Sequence, residues 1–312
     1  MKRFPDSGEE GPSMIRVRGL KYRYRGGFTL DVPNLHLRAG QVTALVGPNG
    51  SGKTTFLGLL AGLLRPDEGS VEIGGEPLES ALRRRRVAAA FDFLPPQSNL
   101  PASIWIRTLS RLRAADPDQL ARLDRIVHED GMAPWLNRPL PRLSAGQRRQ
   151  AALAMAVIGD WDILLLDEPF ASLDAETAAR WMRRIERFAA AGKTIVVSSH
   201  RLLELDRLGD WFLFLRQGRI RHESSKDDLA ACDEIRVVLR CSEATALRIL
   251  GPTAIREIRA VAPGVVSLIV DGRVAGGLAG VLNPLVREGL EVQRIEPRLT
   301  GLERTYHEVG RA

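Results

Sequence analysis

Eight consecutive residues, Gly47, Pro48, Asn49, Gly50, Ser51, Gly52, Lys53 and Thr54, carry the spacing G-x-x-x-x-G-K-[ST], which builds a polyphosphate pocket largely from backbone. Glycine permits positive φ and close approach, so the N–H groups from Gly50 to Thr55 can converge on β- and γ-phosphates. Lys53 supplies a point charge there and Thr54 a hydroxyl for Mg²⁺. Two carboxylates, Asp167 and Glu168, end the apolar run I-L-L-L, the strand edge at which parallel sheets hold ligands. Taken alone, that D-E-P triplet reads equally well as a strand exit. Ser144 and Gln147, three apart, form a capping box ahead of an apolar helix. The chemistry these residues imply is binding of a nucleoside triphosphate.

The elements that must position them are legible in outline. V-T-A-L-V over 42–46 is a continuously apolar run fit for a buried parallel strand, and 55–64 opens a helix whose N-terminus points at the anion. Ahead of it, 15–24 and 28–37 alternate as half-buried antiparallel strands. R-P-D-E-G at 65–69 is turn chemistry, followed by the short strand S-V-E-I-G-G. The texture turns helical over 97–158, with Leu120, Leu123, Ile126 and Val127 on one apolar face that Gly131 can close. Buried-strand runs at 163–166 and 194–199 flank another helical stretch, the rhythm of a parallel α/β sheet. Beyond 231 the order becomes βαββαβ, a ferredoxin-like split unit, and 299–309 is helical in texture. Residues 1–13 read as a flexible tail and 216–228 as a linker.

The 312 residues suffice for two domains. The 45 Lys+Arg against 38 Asp+Glu give a net charge of +7, with the arginines spread along the whole chain, which reads as a solvated basic surface. The run at 83–86 reads as the exposed entry to a strand, and nucleic acid is not an expected partner. Two cysteines without histidines at ligand spacing exclude a four-ligand zinc site, and a reducing cytoplasm is the simplest home. No window reaches the roughly 18 apolar residues of a membrane span. The basic N-terminus has no apolar stretch behind it and does not read as a secretion signal.

The order of further motifs is more specific. L-S-A-G-Q at 143–147 precedes D-E-P at 167–169, A-S-L-D at 171–174 and T-I-V-V-S-S-H ending at His200, while F-L-P-P-Q ends at Gln97. In this order, residues 14–228 resemble the ATP-binding cassette (ABC) ATPases. The resemblance implies an α/β fold, a P-loop ABC nucleotide-binding domain (14–231, mixed sheet with a helical subdomain at 97–158), then a small α+β ferredoxin-like domain (232–312) for interaction. It implies ATP and Mg²⁺ as cofactors, with Thr54, Asp167 and Gln97 serving the metal, Glu168 positioning and deprotonating the attacking water, and His200 contacting the γ-phosphate. Thr55 and Asp174 join the nucleotide-binding set, and Ser144, Gly146 and Gln147 are expected to meet the γ-phosphate of an ATP held by a second copy of the chain. Tyr24 best matches the aromatic that stacks on adenine, with Tyr22 as the alternative. Ala145 departs from the family, standing where the first of two glycines is usual, which puts turnover rather than binding in question.

The function implied is an ATP-hydrolysing transporter subunit that powers a separate integral membrane permease, of exporter type because the C-terminal region is short. It would pair with a second copy of itself, attach peripherally to the cytoplasmic face of the membrane and accept an accessory protein. The alternatives are a mechanical ABC ATPase acting on nucleic acid or ribosomes, and a regulatory module that holds ATP with little turnover.

Overall fold

The computed structural model describes residues 13–91, 99–113, 116–230, 234–271, 281, 284–299, 302, 305–306 and 309. It divides into two compact units, Met1–Glu223 and Ser224–Ala312.

The first unit opens with antiparallel strands β1 (Ser13–Arg23) and β2 (Thr29–Arg38), in register with Val17 opposite Leu35 and Leu20 opposite Val32. Their inward residues, among them Ile15, Leu30 and Leu37, are buried. All five residues of β3 (Val42–Val46) are buried, as a strand covered on both faces requires. Helix α1 runs Lys53–Leu60 rather than over 55–64. It starts early because Gly52, at φ 109°, turns straight from the loop into the helix. It stops early because the amides of Leu63 and Leu64 fold back onto the Gly58 carbonyl at 2.9 and 3.2 Å.

Strands β4 (Glu68–Ile73) and β5 (Glu76–Pro77) complete a first sheet of order β2-β1-β4-β5, and helix α2 (Leu78–Arg83) leads to β6 (Val87–Ala90). The arginine run at that entry is surface chemistry: Arg84 pairs with Glu76 at 2.8 Å and Arg86 with Asp162 at 2.6 Å.

Three helices follow, α3 (Ala102–Leu112), α4 (Pro117–Glu129) and α5 (Ala145–Ala156). The apolar face of α4 is narrower than its sequence suggests: Leu123 and Ile126 are buried, but Leu120, on the first turn, is 40 % exposed. Gly131 follows the helix, its amide bonding back to the His128 carbonyl at 3.1 Å. At the other end of the insertion, Arg113 donates to the carbonyls of Ala156 and Ile158, and Arg122 to that of Val157, at 2.9–3.0 Å. Two guanidinium groups thus complement the negative end of α5.

The remaining elements are β7 (Ile163–Asp167), α6 (Ala175–Ala190), β8 (Thr194–Ser199), α7 (Leu202–Leu208), β9 (Trp211–Arg216) and β10 (Arg219–Ser225). They form a six-stranded sheet of order β10-β9-β3-β8-β7-β6, parallel from β9 through β6. The linker expected over 216–228 is instead the β9–β10 hairpin followed by helix α8 (Lys226–Ala230). Its polar R-I-R-H-E hides a strand at the edge of the sheet, and Gln217 and Gly218, at φ 49° and 75°, make the tight turn. Gly218 donates to the Ser51 carbonyl at 2.9 Å and accepts from Asp31 N–H at 2.7 Å, while a Cβ on it would strike the Thr29 carbonyl.

A buried charge cluster ties α4 to α6. The carboxylate of Asp130, with no exposed side-chain surface, accepts from Arg184 at 2.7 Å and Arg180 at 3.0 Å. Arg184 also reaches Glu129 at 2.7 Å, and Arg180 reaches Thr177 at 2.8 Å.

In the second unit, β11 (Glu234–Arg240), α9 (Glu243–Leu250), β12 (Ile255–Ala262), β13 (Val265–Asp271) and β14 (Glu291–Leu299) build an antiparallel sheet of order β12-β13-β11-β14. That order interleaves the strands of two β-α-β units. Val237, Leu239, Leu268 and Val270 pack against Ala246 of α9 and against Val281 and Leu285. Of the helical stretches expected around 274–287 and 299–309, residues 281, 284–287, 302, 305–306 and 309 are described and helical, and the rest lie outside the described residues.

Candidate active site

The sheet decides which residues meet. The phosphate loop leaves the C-terminal end of β3, Asp167 ends β7, and His200 follows β8, which lies between the two. In register, Val46 stands opposite Ser199 and Asp167 opposite Ser198, so three loops converge on one edge of the sheet.

Within the loop, a Cβ on Gly47 would collide with the Leu215 carbonyl, and one on Gly52 would come within 2.9 Å of Phe28. Only glycine leaves the backbone free to hug a phosphate at these points. Helix α1 starts at Gly52 with no side-chain cap and no acid in its first turn, so its amides keep their hydrogen-bonding capacity and positive dipole for an anion. Ser51 is 2 % exposed, and its hydroxyl has no hydrogen-bond partner among the described residues. A cleft of about 550 Å³ adjoins the outer part of the loop, lined by Pro48, Asn49, Gly50 and Ser51 together with the β1–β2 and β9–β10 turns.

Lys53 curls back onto the carbonyls of Gly47 at 2.8 Å and Pro48 at 3.2 Å. Burial pulls its pKa below the ordinary lysine value, against the opposing pull of the Glu168 and Asp167 charges. The hydroxyl of Thr54 donates to Asp167 at 2.7 Å, which joins two hard oxygen ligands. Among the described residues no cluster of three or more His, Cys, Asp or Glu forms a metal cage. Two oxygen ligands, Thr54 and Asp167, suit a cation that takes the rest of its ligands from phosphate and water.

Glu168 and His200 come together: Nδ1 of His200 lies 2.7 Å from Oε2 of Glu168, and the His200 amide donates to the same oxygen at 3.2 Å. Glu168 adopts φ 49°, a left-handed conformation that costs a non-glycine residue on the order of 1 kcal/mol or more. It turns the carboxylate out of the strand line and toward His200.

Tyr24 lies just past the end of β1 and is 43 % exposed, its hydroxyl 3.5 Å from that of Thr55. Tyr22 is partly buried against the core and stands edge-on to Tyr24 at 4.9 Å. Of the two candidate rings, Tyr24 is the one available beside the loop.

Ser144, Gly146 and Gln147 form a second cluster at the start of α5. Ser144 accepts from Gln147 N–H at 3.2 Å, and Gln147 accepts from Ser144 N–H at 3.0 Å, the reciprocal box that the sequence predicts. A Cβ on Gly146 would sit 2.6 Å from the Ser172 carbonyl, whereas Ala145 is exposed. The tolerated methyl is on the open side. Asp174 is engaged as the N-cap of α6, accepting from Thr177 N–H at 2.9 Å, a bond that holds its carboxyl below the usual range. Gln97 lies outside the described residues.

Three positions escape the sequence reading. Ser198 donates to Asp167 at 2.6 Å and accepts from Glu168 N–H at 3.0 Å. Ser199, bonded to Glu204 at 2.8 Å, accepts from Arg201 N–H at 3.0 Å and so frames His200. Arg149 donates to the Asp167 carbonyl at 3.1 Å. The two serines at the end of an apolar strand were the available signal; nothing in the sequence marks Arg149.

Residues 30–171 match the family described as ABC transporter. A Nod factor export ATP-binding protein of Ralstonia nicotianae is 30 % identical over 249 residues, 75 % of each chain. A daunorubicin resistance ATP-binding protein of Streptomyces coeruleorubidus is 30 % identical over 308 residues, 94 % of each chain. A nickel import ATP-binding protein of Rhodobacter capsulatus is 34 % identical over 66 % of this chain and 87 % of its own. Among solved structures, the ATP-binding subunit of an ABC transporter shares the fold at TM-score 0.61 and 23 % identity, over 70 % of this chain and 92 % of that one. A dimeric ATP-binding cassette in a post-hydrolysis state with ADP and Pi does so at 0.58 and 24 %, over 68 % and 99 %.

Proposed function

This chain belongs to the ABC transporter family, as an ATP-binding subunit and an ATPase, and from that premise we propose that it hydrolyses MgATP to drive a separate membrane permease, working as a head-to-tail pair with a second copy of itself. The observation that carries the catalytic part is the Glu168–His200 pair at 2.7 Å, at the strand edge that also holds the phosphate loop.

Gly47 to Thr55 hold the polyphosphate through backbone amides and Lys53, with adenine on Tyr24. Thr54 and Asp167 hold Mg²⁺, with Gln97, and the ion when bound neutralises charge on the phosphates. Glu168 accepts the proton of the attacking water, and His200 steadies that carboxylate and faces the γ-phosphate. The box at Ser144 and Gln147, with Gly146, meets the ATP of the second copy, and Asp174 keeps the adjoining turn in place. In-line attack then needs little from the protein beyond position and charge.

Among the described residues no helix is long and apolar enough to cross a membrane, which supports a permease on another chain and a peripheral place on the cytoplasmic face. Export is supported by the Nod factor export relative, while the daunorubicin resistance relative matches 94 % of this chain and so extends into the C-terminal unit. The nickel import relative pairs with only 66 % of this chain. The C-terminal unit serves contact with the second copy, the permease or an accessory protein.

Pairing has a direct check. Glu168→Gln with MgATP should elute from size exclusion as a dimer, while the free wild-type chain elutes as a monomer. A monomer at saturating ATP would point to a different partner cassette. Loss of the Lys53 charge should weaken ATP binding by about 10- to 100-fold in Lys53→Ala, as for one charge-assisted hydrogen bond of roughly 1.5–3 kcal/mol. Titration with a fluorescent ATP analogue measures it, and an unchanged Kd would remove Lys53 from the site.

A further inference from the structure

The peptide linking Asp167 to Glu168 is gripped at both ends. Its N–H donates to the carbonyl of Ser198 at 3.1 Å and to the Ser198 hydroxyl at 3.0 Å. Its C=O accepts from Nη1 of Arg149 at 3.1 Å. Arg149 is 4 % exposed and stands on α5, little more than one turn beyond the Ser144 cap, whereas Ser198 stands on β8. One grip comes from the helical insertion and the other from the sheet.

The grip acts where the backbone is strained. Glu168 sits at φ 49°, and rotation about its N–Cα bond sets where the carboxylate points relative to that peptide plane. With the plane fixed, the carboxylate lies 2.7 Å from His200. Freed at the carbonyl end, the peptide can swing and relax φ toward the ordinary strand region, which carries Oε2 away from His200.

We propose that Arg149 is a positioning residue for hydrolysis: by holding the Asp167 carbonyl it keeps Glu168 in its left-handed conformation, and so links the start of α5 to the catalytic carboxylate of the same chain. This rests on the catalytic reading of Glu168 given above. It adds that the orientation of Glu168 depends on a helix that also carries the Ser144 box.

Steady-state kinetics of ATP hydrolysis by the full chain test it. Arg149→Met should lower kcat on the order of 10- to 100-fold, the scale of a misplaced catalytic group, with KM for ATP changed by less than about twofold. Arg149→Lys, which restores a donor, should recover part of the loss. In the Glu168→Gln background, Arg149→Met should slow the residual turnover no further, because the residue acts through Glu168. An unchanged kcat, a rise in KM alone, or a loss that multiplies onto that of Glu168→Gln would each overturn the proposal. If Arg149→Met does not bind ATP, Arg149→Gln, polar but too short to reach the carbonyl, carries the same expectations. Wild-type turnover in Glu168→Gln alone would instead sink the catalytic reading on which the proposal stands.

Discussion

Glu168→Gln is expected to lower steady-state ATP turnover by about 10²- to 10⁴-fold while leaving ATP affinity near that of the unaltered chain. The amide keeps the size and one oxygen of the side chain but takes no proton from water. The surrounding geometry should survive, because the strained backbone of Glu168 is held by Ser198 and Arg149 rather than by its own carboxylate. A phosphate-release assay, paired with equilibrium ATP binding, separates the two quantities. Retention of full kcat would assign the base elsewhere, and loss of ATP binding would mean that Glu168 shapes the pocket instead.

The second large effect is on stability. Asp130→Ala should destabilise the first unit by about 3–5 kcal/mol, because it removes the buried carboxylate that two guanidinium groups share and leaves them only the more exposed Glu129 and Glu176 as charged partners. Arg184 has only 8 % of its side chain exposed and cannot simply turn to water. Glu129, half exposed and bonded to the same Arg184, compensates in part at most. Urea unfolding followed by tryptophan fluorescence is a suitable probe, since Trp181 is buried with the Arg184 guanidinium over its ring at 4.9 Å. A change below about 0.5 kcal/mol, the size of an ordinary surface substitution, would show that the cluster contributes little.

What could be read from the sequence follows the range over which each signal acts. The phosphate loop, the strand before it and the capping box at Ser144 are local patterns, and their conformations follow from neighbours in the chain. The runs at 163–166 and 194–199 reappear as β7 and β8 because continuous apolar stretches bounded by polar residues have few other fates. The β9–β10 hairpin was hidden because an edge strand needs no apolar alternation, and R-I-R-H-E looks like a solvated loop until β9 pairs with it. Arg149 and Ser198 were hidden for a different reason: their importance lies in contacts 18 and 31 residues away, which only the sheet order creates. Ala145 shows the limit of motif matching. The departure from the family falls on an exposed position, while the constraint sits next door, where Gly146 meets the Ser172 carbonyl.

The turn at Gly218 bears on how this chain can be dissected. A boundary chosen from composition would fall near Arg216, in what reads as a linker. That cut would remove the amide that holds the Ser51 carbonyl and the acceptor for Asp31, so the nucleotide loop would lose a brace it never shares sequence with. It would also strip β10 from β9 and expose the unpaired edge of an apolar strand, a template for aggregation. A shortened chain meant to stay soluble and keep its nucleotide should therefore retain every residue through Ser225.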